Sequence, residues 1–170
     1  FKDPTIYPAY NSSVASDAQE QTLRTIVSHL VADQGDYRDL FTTRKTWLTR
    51  PLGVIYRVPV ATRNGWEQAE YSEASQRSGI PTAISLLALH SHPGRSSATL
   101  RGKSLREILL CQKVPDPPAN VNFTAVDQVT RPGSTARMRL AEHNANPVCA
   151  GCHKLTDPIG LTLESFDGAG

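Results

Sequence analysis

The sequence has few aromatic residues, few cysteines and no excess of charge of either sign. Only 6% of its 170 residues are aromatic, and three are cysteine, an odd number that leaves one unpaired if the other two act together. Neither sign of charge dominates, since 18 Lys and Arg stand against 16 Asp and Glu. No run of basic residues would supply a patch that follows a phosphate backbone. Nucleic acid is therefore not an expected partner.

Long hydrophobic runs are also missing. The longest, Ile84 to Leu89, is broken by Ser85, and a bilayer span needs about 18 apolar residues. No membrane span is expected in this chain. The 11 glycines and 12 prolines indicate a loop-rich protein rather than a coiled coil or a fibre. Because the chain starts at Phe1 and stops at Gly170 just after an apolar–acidic segment, we expect a processed or partial chain.

Apolar periodicity predicts a chain of helices and loops. One helix is expected over 17–33 with Ser16 as its N-cap, because its apolar residues recur at helical spacing. The other predicted elements are short helices within 36–58, a buried helical turn or strand over 80–90, helices over 100–111 and 135–144, an extended segment over 119–133, and a turn at Asp157–Gly160.

The motif that carries chemistry is Cys149-Ala-Gly-Cys152-His153, the attachment signature of c-type haem. Two thiols must add to the two vinyl groups at one edge of a porphyrin, and two intervening residues set the separation of the sulfurs. The residue after the second cysteine then lies beneath the iron, where His153 can ligate it. The sequence thus predicts one covalent haem c held by Cys149, Cys152 and His153.

Two other roles for the Cys149–Cys152 pair are weighed against haem attachment. A zinc site needs a second CxxC or a His pair, whereas only the distant Cys111 remains. A thioredoxin-like redox pair usually opens a helix that follows a strand, and here the preceding residues are Asn-Pro. Cys111 itself is expected to be buried and inert, or bonded to a segment outside this chain.

The flanks of the motif resemble a known family. The stretch from Arg137 to Gly170, with the upstream His92-Pro-Gly-Arg-Ser-Ser97, Leu100-Arg-Gly-Lys103 and Val114–Pro118, resembles the haem segment of large modular bacterial c-type cytochromes. These are secreted proteins built from several domains of unknown function, abundant in planctomycetes, myxobacteria and some proteobacteria. The sequence departs at Ala98, where the family often has proline, and stops where the family continues into a further domain.

The other axial position of the iron has several candidates. No methionine follows His153, and Met138 lies upstream. His143 occupies a position where the family has His, and the six-residue stretch back from Cys149 spans about 20 Å when extended. His143 is therefore the leading candidate for the distal ligand, although it can equally cap a helix or donate to a haem propionate. Met138 and His92 are weaker candidates, and His90 is weaker still.

Further residues are candidates for supporting roles. Arg95 and Arg101 can donate to the haem propionates or remain solvated charges. Asp157 can accept the free ring N–H of His153 and raise its donor strength, or it can simply shape a turn.

The predicted fold is mainly α with long irregular loops and a cytochrome c-like haem-binding segment. Residues 1–79 are predicted as a helical segment of a preceding domain, and 80–170 as a haem-binding domain truncated at its C-terminus. The resemblance implies a periplasmic or extracellular location and covalent haem. Redox proteins are the expected partners. An electron carrier is the leading hypothesis. A haem enzyme with an open sixth position, in which His92 and Arg95 assist, and a structural role for the haem are the alternatives.

Overall fold

The computed structural model describes residues 1–116, 134–145 and 147–170. About half of the chain is helical, with a small two-stranded sheet and connecting loops. No described helix is long and apolar enough to cross a membrane. The α-helices and strands are α1 (Ser12–Val27), β1 (Lys45–Leu48), α2 (Arg50–Tyr56), β2 (Glu67–Glu70), α3 (Ile84–Leu89), α4 (Ala98–Ser104), α5 (Ala136–His143) and α6 (Pro147–Gly160).

Short helical turns of other types accompany these elements. Single π-turns follow α1 and α4, at Ser28–Ala32 and Leu105–Leu109. The 3₁₀ turns are Tyr37–Phe41, Glu73–Ser75, Ile80–Thr82 and Leu161–Leu163. The predicted extended segment over 119–133 lies outside the described residues.

The chain divides into two compact units. The first comprises Phe1–Ser96 together with Phe166–Gly170, and the second comprises Ser97–Ser165. The predicted domain boundary between residues 79 and 80 stays a prediction.

The sheet of the first unit replaces part of a region that was predicted as helix. β1 and β2 pair antiparallel, with Lys45 opposite Glu70 and Leu48 opposite Glu67. Thr46 and Leu48 are buried on one face of β1. The short helices predicted within 36–58 are confirmed as the 3₁₀ turn Tyr37–Phe41 and α2, but residues 45–48 between them form strand β1. Four residues are too few for period-two alternation to be distinguished from a helical edge.

α1 buries a different face from the one that its apolar residues predicted. The helix begins at Ser12, and the side chain of Asn11 caps it by accepting from the Val14 N–H at 3.0 Å. Its buried residues are Val14, Ala18 and Gln21. The predicted cap at Ser16 is wrong, because that residue lies inside the helix. The predicted apolar face consists of Leu23, Ile26, Val27, Leu30 and Val31. Three of these are exposed, Leu23, Val27 and Val31 at 51%, 55% and 70%, and the other two are half-buried.

A buried polar network centres on Gln21 in the core of the first unit. Its amide nitrogen donates to Thr46 Oγ1 at 2.8 Å and to the Tyr71 hydroxyl at 2.9 Å. Its amide oxygen accepts from the Tyr56 hydroxyl at 2.8 Å, and that hydroxyl in turn accepts from the Ile84 N–H. Every group of the Gln21 amide is thus used to join α1 to β1, α2 and the residues near α3.

Replacing Gln21 with leucine is expected to lower the free energy of unfolding by about 1–3 kcal/mol, because the substitution leaves buried hydroxyls short of partners. Denaturant unfolding of the purified chain measures the change. Gln19→Leu is the matched control, since Gln19 is exposed on the same helix. An equal effect of the two substitutions would contradict the structural role of the network.

The second unit is built on a close crossing of α4 and α6. A Cβ placed on Gly102 of α4 would overlap the Thr156 carbonyl oxygen, and one placed on Gly160 would overlap the carbonyl oxygen of Ala98. The two backbones therefore touch at both glycines, and no side chain fits between them. This crossing sets the position of every side chain that α4 presents to α6.

The C-terminal part of α6 corrects another prediction. Asp157–Gly160 was predicted as a turn, but α6 continues through Pro158 and ends at Gly160. Proline costs a backbone hydrogen bond inside a helix. Here Asp157 and Gly160 are buried against α4, and that packing outweighs the local cost.

Candidate functional site

The two cysteines and the histidine of the CxxCH motif project from the first two turns of α6. Pro147 begins the helix, in the position where proline's missing N–H costs nothing. Cys149 lies three residues before Cys152 and four before His153, so the three side chains share one side of the helix. Both thiols are free and half-buried. The local fold therefore gathers the motif on one surface of α6.

The His153 imidazole is held by a carboxylate one turn further along the helix. Its Nδ1 lies 2.9 Å from Asp157 Oδ2 and 3.1 Å from Oδ1. An ionised carboxylate only accepts hydrogen bonds, so Nδ1 carries the proton and donates. In the neutral ring, Nε2 then has a lone pair available for a metal.

Asp157 is itself fixed on several sides. The Thr99 hydroxyl of α4 donates to Oδ1 at 2.9 Å, the Thr156 hydroxyl donates to the same oxygen at 3.2 Å, and the Asn144 amide donates to Oδ2 at 3.2 Å. Burial alone would raise the pKa of Asp157, but the hydrogen bond and charge of His153, with the bonds from Thr99 and Asn144, hold it below its usual value. The residue is an anion at neutral pH.

A second imidazole lies against the first. His143 is the last residue of α5, and its ring meets that of His153 edge to face with centroids 4.7 Å apart. Partial burial lowers the pKa of His143, and the neighbouring His153 lowers it further, against the opposing effect of Asp157. His143 is therefore neutral at pH 7, the form in which imidazole ligates a metal.

The surface of α6 is open at Gly151, between the two cysteines. Among the described residues, a Cβ placed on Gly151 would meet no atom within 4 Å. Ala150 adds only a methyl group to the same stretch. The small residues at 150 and 151 thus leave the helix backbone accessible where a porphyrin edge would approach.

Sequence comparison places this site within a family. A family model described as PSCyt3, a protein of unknown function (DUF1588), matches residues 77–170, more than half of the chain. The chain belongs to the PSCyt3 family. This is a domain of unknown function found in planctomycete cytochrome-like proteins. No curated protein and no solved structure matches the chain.

The PSCyt3 segment includes the whole α4–α6 crossing and the CxxCH motif. Ala98, the expected departure from the family pattern, is the first residue of α4 and follows the N-cap Ser97. Proline is favoured at that position, so alanine there leaves the helix start intact. The departure from the family pattern therefore does not disturb the crossing.

The structure also bears on the other roles considered for the cysteine pair. Among residues 1–116, 134–145 and 147–170, no group of three or more His, Cys, Asp or Glu side chains is arranged to hold a metal ion. The element before α6 is helix α5, whereas a thioredoxin-like pair would follow a strand. Cys111 is exposed, which contradicts its predicted burial.

Arg101 and Met138 are the other predicted site residues in the second compact unit. The Arg101 side chain is completely buried, and its Nη1 donates to the Leu163 carbonyl at 3.0 Å and lies 3.6 Å from Glu164 Oε1. These contacts give Arg101 a structural role, and its proposed bond to a propionate stays a prediction. Met138 is 55% exposed on α5, where nothing distinguishes it as a ligand.

His92 and Arg95 belong to the first compact unit, whereas the CxxCH motif belongs to the second. The two residues pair across a tight turn through Pro93 and Gly94. The His92 carbonyl accepts from the Lys2 ammonium at 3.0 Å. Their predicted roles at the iron and the propionates stay predictions.

Sequence reasoning missed Thr99 and Asn144. It named Asp157 as an acceptor of the His153 ring N–H, with a turn role as the alternative, and the structure shows that contact. Asp157 lies four residues after His153, which is the spacing of neighbours on one helix face, so the continuation of α6 through 153–160 brings the two side chains together. Asn144 directly follows His143 but carried no signal of its own. Thr99 is distant in sequence, and only the glycine-mediated crossing of α4 and α6 brings it to Asp157.

Proposed function

We propose that this chain is a monohaem c-type cytochrome module that carries electrons in the periplasm or outside the bacterial cell. The observation that carries the proposal is the state of His153. Its Nδ1 is committed to Asp157, and its Nε2 is the nitrogen left to ligate iron, on the same helix side as two free thiols. A CxxCH sequence that occurs by chance is not expected to place a carboxylate-held histidine on the same side of a helix as two free thiols.

The residues of the second unit fit a covalent haem. Cys149 and Cys152 would form the thioether bonds, His153 would be the proximal ligand, and the open surface at Gly151 would face the porphyrin edge. The haem, when bound, supplies a one-electron couple whose potential its axial ligands set. Redox proteins outside the cytoplasm are the proposed partners.

His143 is the proposed distal ligand. Its ring lies edge to face with that of His153, with the centroids 4.7 Å apart, and it is neutral at pH 7. Two imidazole ligands would fill both axial positions and leave no open coordination site for a substrate. That arrangement suits an electron carrier better than a peroxidase or an oxygenase.

The spin state of the ferric protein tests this proposal. Visible and EPR spectra of the wild-type chain are expected to show low-spin, six-coordinate iron. His143→Ala is expected to convert the iron to a high-spin form that binds cyanide readily. Met138→Ala is the matched control on the same helix and should remain low-spin.

Three outcomes separate the functions. A high-spin wild-type protein that binds cyanide would overturn the carrier and favour the enzyme. A low-spin His143→Ala variant would remove His143 as the ligand while leaving the carrier intact. A wild-type chain without covalent haem would overturn the whole proposal.

A further inference from the structure

We infer that Asp157 is the positioning residue of the site, which fixes the orientation and tautomer of His153 and holds the haem potential low. This inference rests on the proposed function, because the potential has meaning only if haem is bound. The tautomer does not depend on haem, however, and can be measured by itself.

The geometry assigns Asp157 to this role rather than to helix stability alone. Both of its oxygens lie within 3.1 Å of His153 Nδ1, and the residue is only 2% exposed. A hydrogen bond shielded from water in this way competes with no solvent partner. The ring of His153 therefore cannot turn over without breaking it.

The carboxylate is also prevented from moving away. Its three further donors come from α4, from its own helix and from the turn after α5, namely Thr99, Thr156 and Asn144. Donors from three parts of the unit constrain the carboxylate plane more strongly than one bond would. Asn144 directly follows His143, so the same carboxylate ties the proximal histidine to the end of the helix that carries the proposed distal one.

The electronic consequence follows from charge. A buried anion that accepts the Nδ1 proton gives the imidazole partial imidazolate character and makes Nε2 a stronger donor. A stronger donor stabilises ferric iron over ferrous iron, which moves the midpoint potential to more negative values. Asp157 would thus act on the iron only through His153.

Asp157→Asn tests the inference in the haem-loaded protein. Asparagine keeps the size of the side chain and one acceptor oxygen, but it removes the charge. The midpoint potential is expected to shift to more positive values. Asp116→Asn is the control, because it removes the same charge from an 83% exposed side chain paired with Lys103 in the same unit. Its potential should match that of the wild type.

A potential that is unchanged or more negative in Asp157→Asn would overturn the electronic role. If Asp157→Asn does not fold, Thr156→Val carries the test, because it keeps the shape of the side chain and removes one donor to Asp157 Oδ1. A smaller change of potential is then expected, with the haem still attached. A wild-type potential in that variant would contradict the inference.

The haem-free chain provides a separate measurement. Nitrogen NMR of the His153 ring is expected to show the proton on Nδ1 in the wild type and a shift toward the Nε2-protonated tautomer in Asp157→Asn. A wild-type ring protonated on Nε2 would overturn the positioning role. If the His153 ring is protonated on Nδ1 but the chain never attaches haem, the positioning role of Asp157 stands and the proposed cytochrome function is wrong.

Discussion

A chain in which Cys149 and Cys152 are both replaced by serine is expected to retain no haem after denaturation. The two thioethers are the only covalent links in the proposal, and serine hydroxyls do not replace thiolate as the nucleophile that adds to a vinyl group. Peroxidase staining of the denatured chain on a gel, after expression in a bacterial host with cytochrome c maturation machinery, measures the loss.

Cys111→Ser is the matched control for that experiment. Cys111 is the third free cysteine; it is exposed and does not belong to α6. The variant should keep the same haem stain as the wild type. If the double variant keeps its haem stain, or if Cys111→Ser loses it, the haem is not attached at Cys149 and Cys152.

The crossing of α4 and α6 should be the most sensitive point of the second unit. Gly160→Ala is expected to lower the free energy of unfolding by about 1–3 kcal/mol or more, because the new methyl group would overlap the Ala98 carbonyl and force the helices apart. The separation would also draw Thr99 away from Asp157. Denaturant unfolding of the haem-free chain, with hydrogen exchange of the α6 amides, measures the effect.

Gly151→Ala provides the control on the same helix. A Cβ at Gly151 meets open space, so the change should stabilise the haem-free chain by about 0.4–1 kcal/mol through helix propensity. Opposite signs for two identical substitutions in α6 are thus expected. If Gly160→Ala proved as harmless as Gly151→Ala, the close backbone approach would be contradicted.

The sequence alone predicted the residues of the motif and several helices, since both depend on local spacing. The predicted helix over 135–144 is confirmed as α5, and Thr135 at its start accepts from the Met138 N–H. The helix expected over 100–111 is present as α4 and the π-turn that follows it. Helical periodicity is visible in a single sequence, and it was enough to predict these two elements.

Other features depend on contacts between distant residues and were misjudged. The apolar stripe of Leu23, Val27 and Val31 indicated a buried face, but the helix instead buries Gln21, whose partners lie 25 to 50 residues away. A polar residue in a core is recognisable only once those partners are known. Arg101 is a similar case, because a charged side chain is expected at the surface unless it is paired in the interior.

The chemistry of the site was predicted, but its support was predicted only in part. CxxCH identified three residues, and Asp157 was offered as the partner of His153. The contacts from Thr99 and Asn144 depend on the packing around α6, which continues as a helix through Pro158. Proline after an aspartate favours a turn when it is judged locally. The glycines at 102 and 160 reversed that preference by allowing α4 to pack against this part of the helix.

The intact mass of the wild-type chain tests the central claim most directly. The chain is expressed in a host with cytochrome c maturation machinery and denatured, and mass spectrometry then measures what stays attached. The predicted result is the polypeptide mass plus one haem, with peptide mapping that places the haem on the segment containing Cys149 and Cys152. A polypeptide mass without haem, or a haem mapped elsewhere, would contradict the account.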